Sequence, residues 1–228
     1  MSPANRNSIL LRYYLAQQER YPAILWQGDG SRREIALTFD DGPHPKDTPQ
    51  VLKMLAKHEA CATFFLIGKY VEQYPQLVRQ IHQNGHQLGI HGYRHLPFLI
   101  ERPSALRRQL DRTRNAIAEV CKISPESIDH IRPPYGAFTR RMLARLTDWG
   151  YHPVMWNSMP LHWMQSMEWT VRQVMQDAIP GSVIVLHDGH GHGSKVAEII
   201  DVLVPKLKAS GFRFVTAENM ERMKGHGK

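Results

Sequence analysis

The chain has 228 residues, 42% of them hydrophobic and 22% charged, which is enough for one domain with a sizeable core. Lysine plus arginine is 29 and aspartate plus glutamate 21, a formal charge of +8 with a sequence pI near 9.6. Such a surface favours an anionic partner such as nucleic acid, membrane headgroups or an acidic cell-wall polymer, but the charge is dispersed and no Lys/Arg block marks a nucleic-acid binder. Residues 5–20 read as an N-terminal helix, and 21–33 as a Gly- and Asp-rich loop. From residue 35 a rhythm of strands and helices begins. Strands are expected at 35–39, 62–67, 86–90, 128–131, 152–156, 182–186 and 212–215. Helices are expected at 48–58, with Thr48 as cap, and at 69–84, 103–122, 140–149, 169–179 and 195–209, with a short tail helix at 218–223.

Strict alternation implies parallel strands joined by helical crossovers. The expected fold is α/β, a single-domain, distorted (β/α)7 barrel spanning 34–216, with a lead-in over 1–33 and a tail over 217–228. A barrel is preferred to an open sheet because the polar clusters fall at strand C-termini, and a barrel gathers those ends at one mouth. Cys61 and Cys121 form no disulfide framework or zinc knuckle and read as two buried thiols. No apolar run is long enough to span a membrane. The N-terminus lacks the basic-then-apolar pattern of a secretory leader, so action in the cytoplasm and export by a trimmed segment both stay open.

Four clusters carry chemistry. Thr38-Phe39-Asp40-Asp41-Gly42-Pro43 ends a strand with adjacent carboxylates. Like charges side by side are costly unless a cation or proton separates them, so a metal with one Asp as ligand and the other as base is one reading; a surface turn is the other. His91-Gly92-Tyr93-Arg94-His95 spaces two imidazoles as on one face of a helical turn. One Asp and two His with an open position make a catalytic zinc arrangement. Ile131-Arg132-Pro133-Pro134-Tyr135-Gly136 reads as a rigidly aimed cation for a buried carboxylate, or as a salt-bridged turn, and the Tyr135 N–H can serve an oxyanion. Leu186-His187-Asp188-Gly189 ends a strand with an imidazole suited to general-acid work. His190 and His192, set among glycines, read as loop residues.

TFDDGP, HGYRH, RPPYG and LHD, in this order, resemble the motifs of the polysaccharide deacetylases, the NodB-homology domain of carbohydrate esterase family four. The resemblance covers about residues 34–214 and implies a seven-stranded barrel and a metal-dependent deacetylase of N-acetylated glycans, of peptidoglycan or chitin type. It implies Asp40 as base, Asp41, His91 and His95 as ligands of a divalent metal (zinc, or cobalt), and Arg132 as the residue that orients the base. It also implies Tyr135 as oxyanion donor, His187 as acid, and Leu186, Pro134 and Trp163 as substrate-binding residues.

One element departs. The family's Asp-x-x-Asp-Trp is matched here by Met159-Pro160-Leu161-His162-Trp163. The second Asp normally favours the protonated form of the acid His. His162 brings no negative charge, so His187 is expected to protonate less readily, with His162 as a modulator of its pKa or as the acid itself. The departure keeps an O-acetyl esterase on xylan, a non-sugar amidase and a catalytically impaired glycan-binding module in view. The sequence names neither the glycan nor the oligomeric state.

Overall fold

The computed structural model describes residues 16, 17, 19–189 and 193–225. The expected N-terminal helix lies almost wholly outside them, although its end, among residues 16–20, is helical; His190 and His192 also lie outside. The seven expected strands are β1 (Glu34–Asp40), β2 (Thr63–Leu66), β3 (Gln87–Ile90), β4 (His130–Ile131), β5 (His152–Pro153), β6 (Ser182–His187) and β7 (Arg213–Phe214). They form one parallel sheet in the order β5-β4-β3-β2-β1-β6. β7 joins β1 at Glu34 and Ile35, on the edge that β2 occupies further along.

All seven residues of β1 are buried, as expected for a strand covered on both faces. Alternation divides them. Ile35, Leu37 and Phe39 pack outward into the main core beneath the helices. Ala36 turns inward to a smaller cluster with Phe65, Val154 and Val183. The sheet curls until its ends meet, and single bridges rather than a ladder close it. Leu25 pairs with Val154 beyond β5, Gln27 pairs with Ser182 of β6, and Ser158 pairs with Ile184. The lead-in read as a plain loop thus supplies part of the closure. Leu25 shares the inner cluster with Ala217 and Met220, so residues on both sides of the 34–216 span fill the barrel floor.

The described helices are α1 (Thr48–Lys57), α2 (Gly68–Gln73), α3 (Pro75–Gln83), α4 (Pro103–Cys121), α5 (Arg140–Asp148), α6 (Met167–Asp177), α7 (Gly193–Ala209) and α8 (Ala217–Gly225). Two expectations change. The single helix over 69–84 is broken at Tyr74 (φ −128°, ψ 56°), because Pro75 disfavours helical geometry in the residue before it. Thr48 does not cap α1: Asp47 occupies the cap position, and the Thr48 hydroxyl donates to Asp188 instead. Thr139 does cap α5, accepting from the Met142 N–H.

At the opposite end of the sheet from the β1 carboxylates, Glu221 of α8 sits 3.1 Å from both His130 Nε2 and His152 Nδ1, and Asp129 lies 2.6 Å from His130 Nδ1. Burial alone would lower the His130 pKa, but hydrogen bonds and charge from Asp129 and Glu221 outweigh it and push the value up to about 9. A folded-state pKa above the unfolded one gives stability that is present below about pH 6.5 and lost as pH rises through 9. The urea midpoint should therefore fall between pH 7 and 10. Glu221→Gln should flatten that fall, which a pH series of denaturation curves would check.

Candidate active site

The site is built on β1. Alternation points Thr38 and Asp40 into the barrel, opposite Val185 and His187 of β6 in register. Asp41 takes φ +75°, a left-handed turn that a non-glycine residue adopts at some cost. That turn lets neighbouring carboxylates face one cavity although strand geometry would oppose them. A second loop locks it from behind. A Cβ on Gly42 would lie 2.5 Å from the Asp188 carboxylate, and one on Gly189 would lie 2.6 Å from the Asp41 carbonyl oxygen. Asp188 donates its N–H to the Asp40 carbonyl at 3.2 Å, and its side chain accepts from Thr48 at 2.5 Å. Burial raises the Asp188 pKa to about 7. The sequence showed Asp188 within its motif but gave it no task.

Arg132 is completely buried. Its Nη1 donates to Asp40 Oδ1 and to Thr38 Oγ1, each at 2.7 Å. Its Nε and Nη2 donate to the Val154 and Met155 carbonyls at 3.2 and 2.9 Å, and the guanidinium lies 4.2 Å from the Phe65 ring centre. Burial lowers the Arg132 pKa, and Asp40 opposes that shift. An ion pair closed in this way holds Asp40 in one rotamer, with Oδ2 turned toward His91 at 3.9 Å.

His91 follows β3 directly, and its loop is not the helical turn expected from the four-residue spacing. Positive φ at Gly92 (+80°) and His95 (+55°) folds the loop back and brings the rings within 5.1 Å. The first N–H groups of α2 tie it down, from Gly68 to the Gly92 carbonyl at 2.9 Å and from Lys69 to the Tyr93 carbonyl at 3.0 Å. Asp41 Oδ1 lies 3.5 Å from His91 Nε2 and 3.1 Å from His95 Nε2. One atom from each of the three residues falls within 4.8 Å of the others, the only such group among the described residues. His91 Nδ1 is 2.7 Å from the Arg132 carbonyl. A carbonyl only accepts, so Nδ1 carries the proton and Nε2 presents its lone pair to Asp41. Burial holds His91 near pKa 4, neutral as a ligand must be. The donor set therefore fits a divalent cation.

Opposite stands His187, lowered to about 4 chiefly by burial, with Asp40 pulling it up and His91 and Arg132 pulling it down. The Trp163 ring meets it edge-on at 4.7 Å. His162 is fully buried, and its Nε2 accepts from the His187 backbone N–H at 3.0 Å, which assigns the His162 proton to Nδ1. The same Nε2 lies 3.3 Å from His187 Nδ1. These groups surround a cavity of about 380 Å³ lined by Asp40, Asp41, His91, His95, Pro133, Tyr135, Gly136, Trp156, Met159, Trp163, Val185 and His187.

Two sequence expectations need correction. Leu186 does not line the cavity; it is buried in the outer core and Val185 takes its place. If His187 faces inward, period-two alternation sends Leu186 outward and Val185 inward, a signal the sequence already held. Pro134 is buried and Pro133 lines the cavity instead. Gly136, Val185 and Pro133 are lining residues to which the sequence reading gave no task. Tyr135, at φ +61° and largely exposed, sets its ring tilted against that of His95, with centres 4.7 Å apart.

A barrel mouth with a buried acid, a neutral imidazole and an Asp-His-His cluster is the architecture of a metal-dependent hydrolase. A family model for polysaccharide deacetylase matches residues 27–154, and the chain belongs to that family. It is 34% identical over 206 residues to a peptidoglycan-N-acetylglucosamine deacetylase of Bacillus cereus, covering 89% of this chain and 73% of that one. It is 33% identical over 195 residues to a chitooligosaccharide deacetylase of Azorhizobium caulinodans, covering 80% and 91%. The crystal structure of the Bc1960 peptidoglycan N-acetylglucosamine deacetylase, solved with a naphthalenyl N-oxidanyl-benzamide, superposes with a TM-score of 0.82 at 32% identity, covering 87% of this chain and 92% of that one.

Removing one partner of a buried ion pair strands the other. Arg132→Met should destabilise the fold by about 3–5 kcal/mol. Adding Asp40→Asn to it should restore part of the loss. Equal stability of the single and double variants in urea would show that the pair is not the source.

Proposed function

We propose that this protein hydrolyses the N-acetyl groups of a sugar polymer or oligosaccharide of peptidoglycan or chitin type. The observation that carries this is the convergence of Asp40, with its Arg132 clamp, and His187 on the cavity that holds Asp41, His91 and His95. The named relatives support the substrate class, as both act on N-acetylated glucosamine glycans by their names.

Asp41, His91 and His95 would hold a divalent cation, which we assign as zinc, with cobalt as a substitute, because imidazole and carboxylate ligands suit both. When bound, such an ion polarises an acetyl carbonyl and lowers the pKa of water. Asp40, held in place by Arg132, takes a proton from the attacking water. The Tyr135 N–H supports the oxyanion that develops on the acetyl carbonyl oxygen. Val185, with Pro133 beside it, forms the wall for the acetyl methyl group, the part the sequence had given to Leu186. His187 protonates the amide nitrogen as the C–N bond breaks, releasing acetate and an amine. Burial holds its resting form neutral, so the imidazole first takes up a proton from solvent and then passes it to the amide nitrogen. Trp163 braces the imidazole edge-on and offers a face to a sugar ring.

His162 works as a pKa modulator rather than as the acid. Its Nε2 is occupied by the His187 N–H, so it can accept from His187 but not deliver a proton through that atom. The intact base, clamp and acid oppose a binding module without turnover. An ester or non-sugar amide would fit the same groups, and a substrate panel separates these readings.

Acetate release from chitooligosaccharides, peptidoglycan, acetylxylan and an aryl acetate tests the assignment. Activity on the first two should vanish with chelator, return with zinc or cobalt, and fall at least ~100-fold in Asp40→Asn. Turnover of none of the four substrates by the metal-loaded protein would sink the reading. In a pH–rate profile, His162→Asp should move the alkaline limb to higher pH, because a carboxylate beside His187 raises its pKa. An unmoved limb would remove the assigned part of His162.

A further inference from the structure

Large apolar side chains exposed at the surface are not scattered over this molecule. Among the described residues eight are exposed, and seven of them sit on segments that follow β3, β4 and β5 at the cavity mouth. Leu96, Leu99 and Ile100 follow β3, Tyr135 follows β4, and Met159, Met164 and Trp169 follow β5. Exposed apolar surface gathered on one face marks a binding surface.

The β3 segment has the shape of a wedge. Residues Phe98–Ile100 form a single 3₁₀ turn. Phe98 is buried against Gly92, where a Cβ would lie 3.0 Å from its ring. With Phe98 as anchor, its neighbours Leu99 and Ile100 are left to solvent, Ile100 at 69% exposure. Arg94 and Arg102, both exposed, flank the tip. On the β4 segment, exposed Arg140 and Arg141 follow Tyr135. Across 91–102, 133–141 and 156–169 these four arginines face one exposed carboxylate, Glu168, while Glu101 is half-buried against Gln109.

Aliphatic tips between arginines suit neither a glycan nor bulk water. Leucine, isoleucine and methionine offer a sugar no hydrogen bond and no flat face. They do enter the acyl boundary of a bilayer while arginine heads stay with anionic headgroups. The net charge of +8 acts in the same direction. We propose that the cavity mouth docks on an anionic lipid surface through the Leu96–Ile100 tip, with Met164 and Trp169 on the far rim and Arg94, Arg102, Arg140 and Arg141 between headgroups. The catalytic cavity then opens toward the membrane interface, and its substrate is a glycan held at that surface.

Co-sedimentation of the full chain with phosphatidylcholine vesicles, with and without phosphatidylglycerol, tests this. Binding is measured without turnover, so its outcome is separate from that of the deacetylase assignment. The chain should pellet with the anionic vesicles and much less with the neutral ones, and high salt should release it. Leu99→Ser/Ile100→Ser and Arg140→Glu/Arg141→Glu should each weaken binding by about tenfold or more, with unchanged circular dichroism and thermal midpoint. No pelleting, or pelleting that both double variants leave intact, overturns the proposal. So does a concentration-dependent dimer that Ile100→Asp abolishes, because a second copy of the chain would then cover the patch.

Discussion

Arg132 is the hinge of this molecule's chemistry. Its side chain fixes Asp40 of β1 and takes the carbonyls of residues 154 and 155 beyond β5, so it ties opposite sides of the curled sheet across the barrel interior. Its backbone carbonyl receives His91 Nδ1 and sets which nitrogen of that ring faces Asp41. One buried residue thus orients Asp40 and, separately, the His91 ring of the Asp41-His91-His95 cluster. A lysine could carry the charge but not the fork of donors that reaches four acceptors at once.

Around this clamp, backbone strain gathers. Six non-glycine residues of the described chain have positive φ, and four of them border the site or its walls: Asp41, His95, Tyr135 and Leu161. Each turns the chain sharply just past a strand or within a mouth loop. Strain of this kind persists where surrounding packing over-determines it. Here the buried strand β1, the almost wholly buried β6 and the interlocked pairs Gly42–Asp188 and Gly189–Asp41 do so. The rigid sheet supplies the floor, and the strained turns aim functional groups above it.

Electrostatically the site is a carboxylate pair among neutral rings. His91 and His187 are both held near pKa 4 by burial, so both rings rest neutral. His162 replaces the carboxylate that family resemblance leads one to expect beside His187. It keeps that ring in place through the backbone N–H without adding charge. Met159 removes a second acid from the wall, so this face of the cavity is apolar and runs into the apolar rim outside.

Much of this was legible in the chain itself. Alternating strand and helix patterns gave seven strands in parallel, and four polar clusters at strand ends marked the mouth, because hydrophobic periodicity and turn residues are local properties. The break at Tyr74–Pro75 is equally local, since a proline marks it in the sequence. Spacing alone misled at His91 and His95, whose rings meet through a left-handed loop rather than a helical turn, and at Leu186, where alternation had to be counted back from His187. Other features had no local signal. Sequence could not place Leu25 and Gln27 in the barrel's closure, set Asp188 behind the Asp41 turn, or show that seven exposed apolar side chains lie on the segments after β3, β4 and β5. Each depends on segments distant in the chain meeting in space. The residue types and order determined the fold class and the chemistry available; which atoms face one another was decided only when the sheet curled and closed.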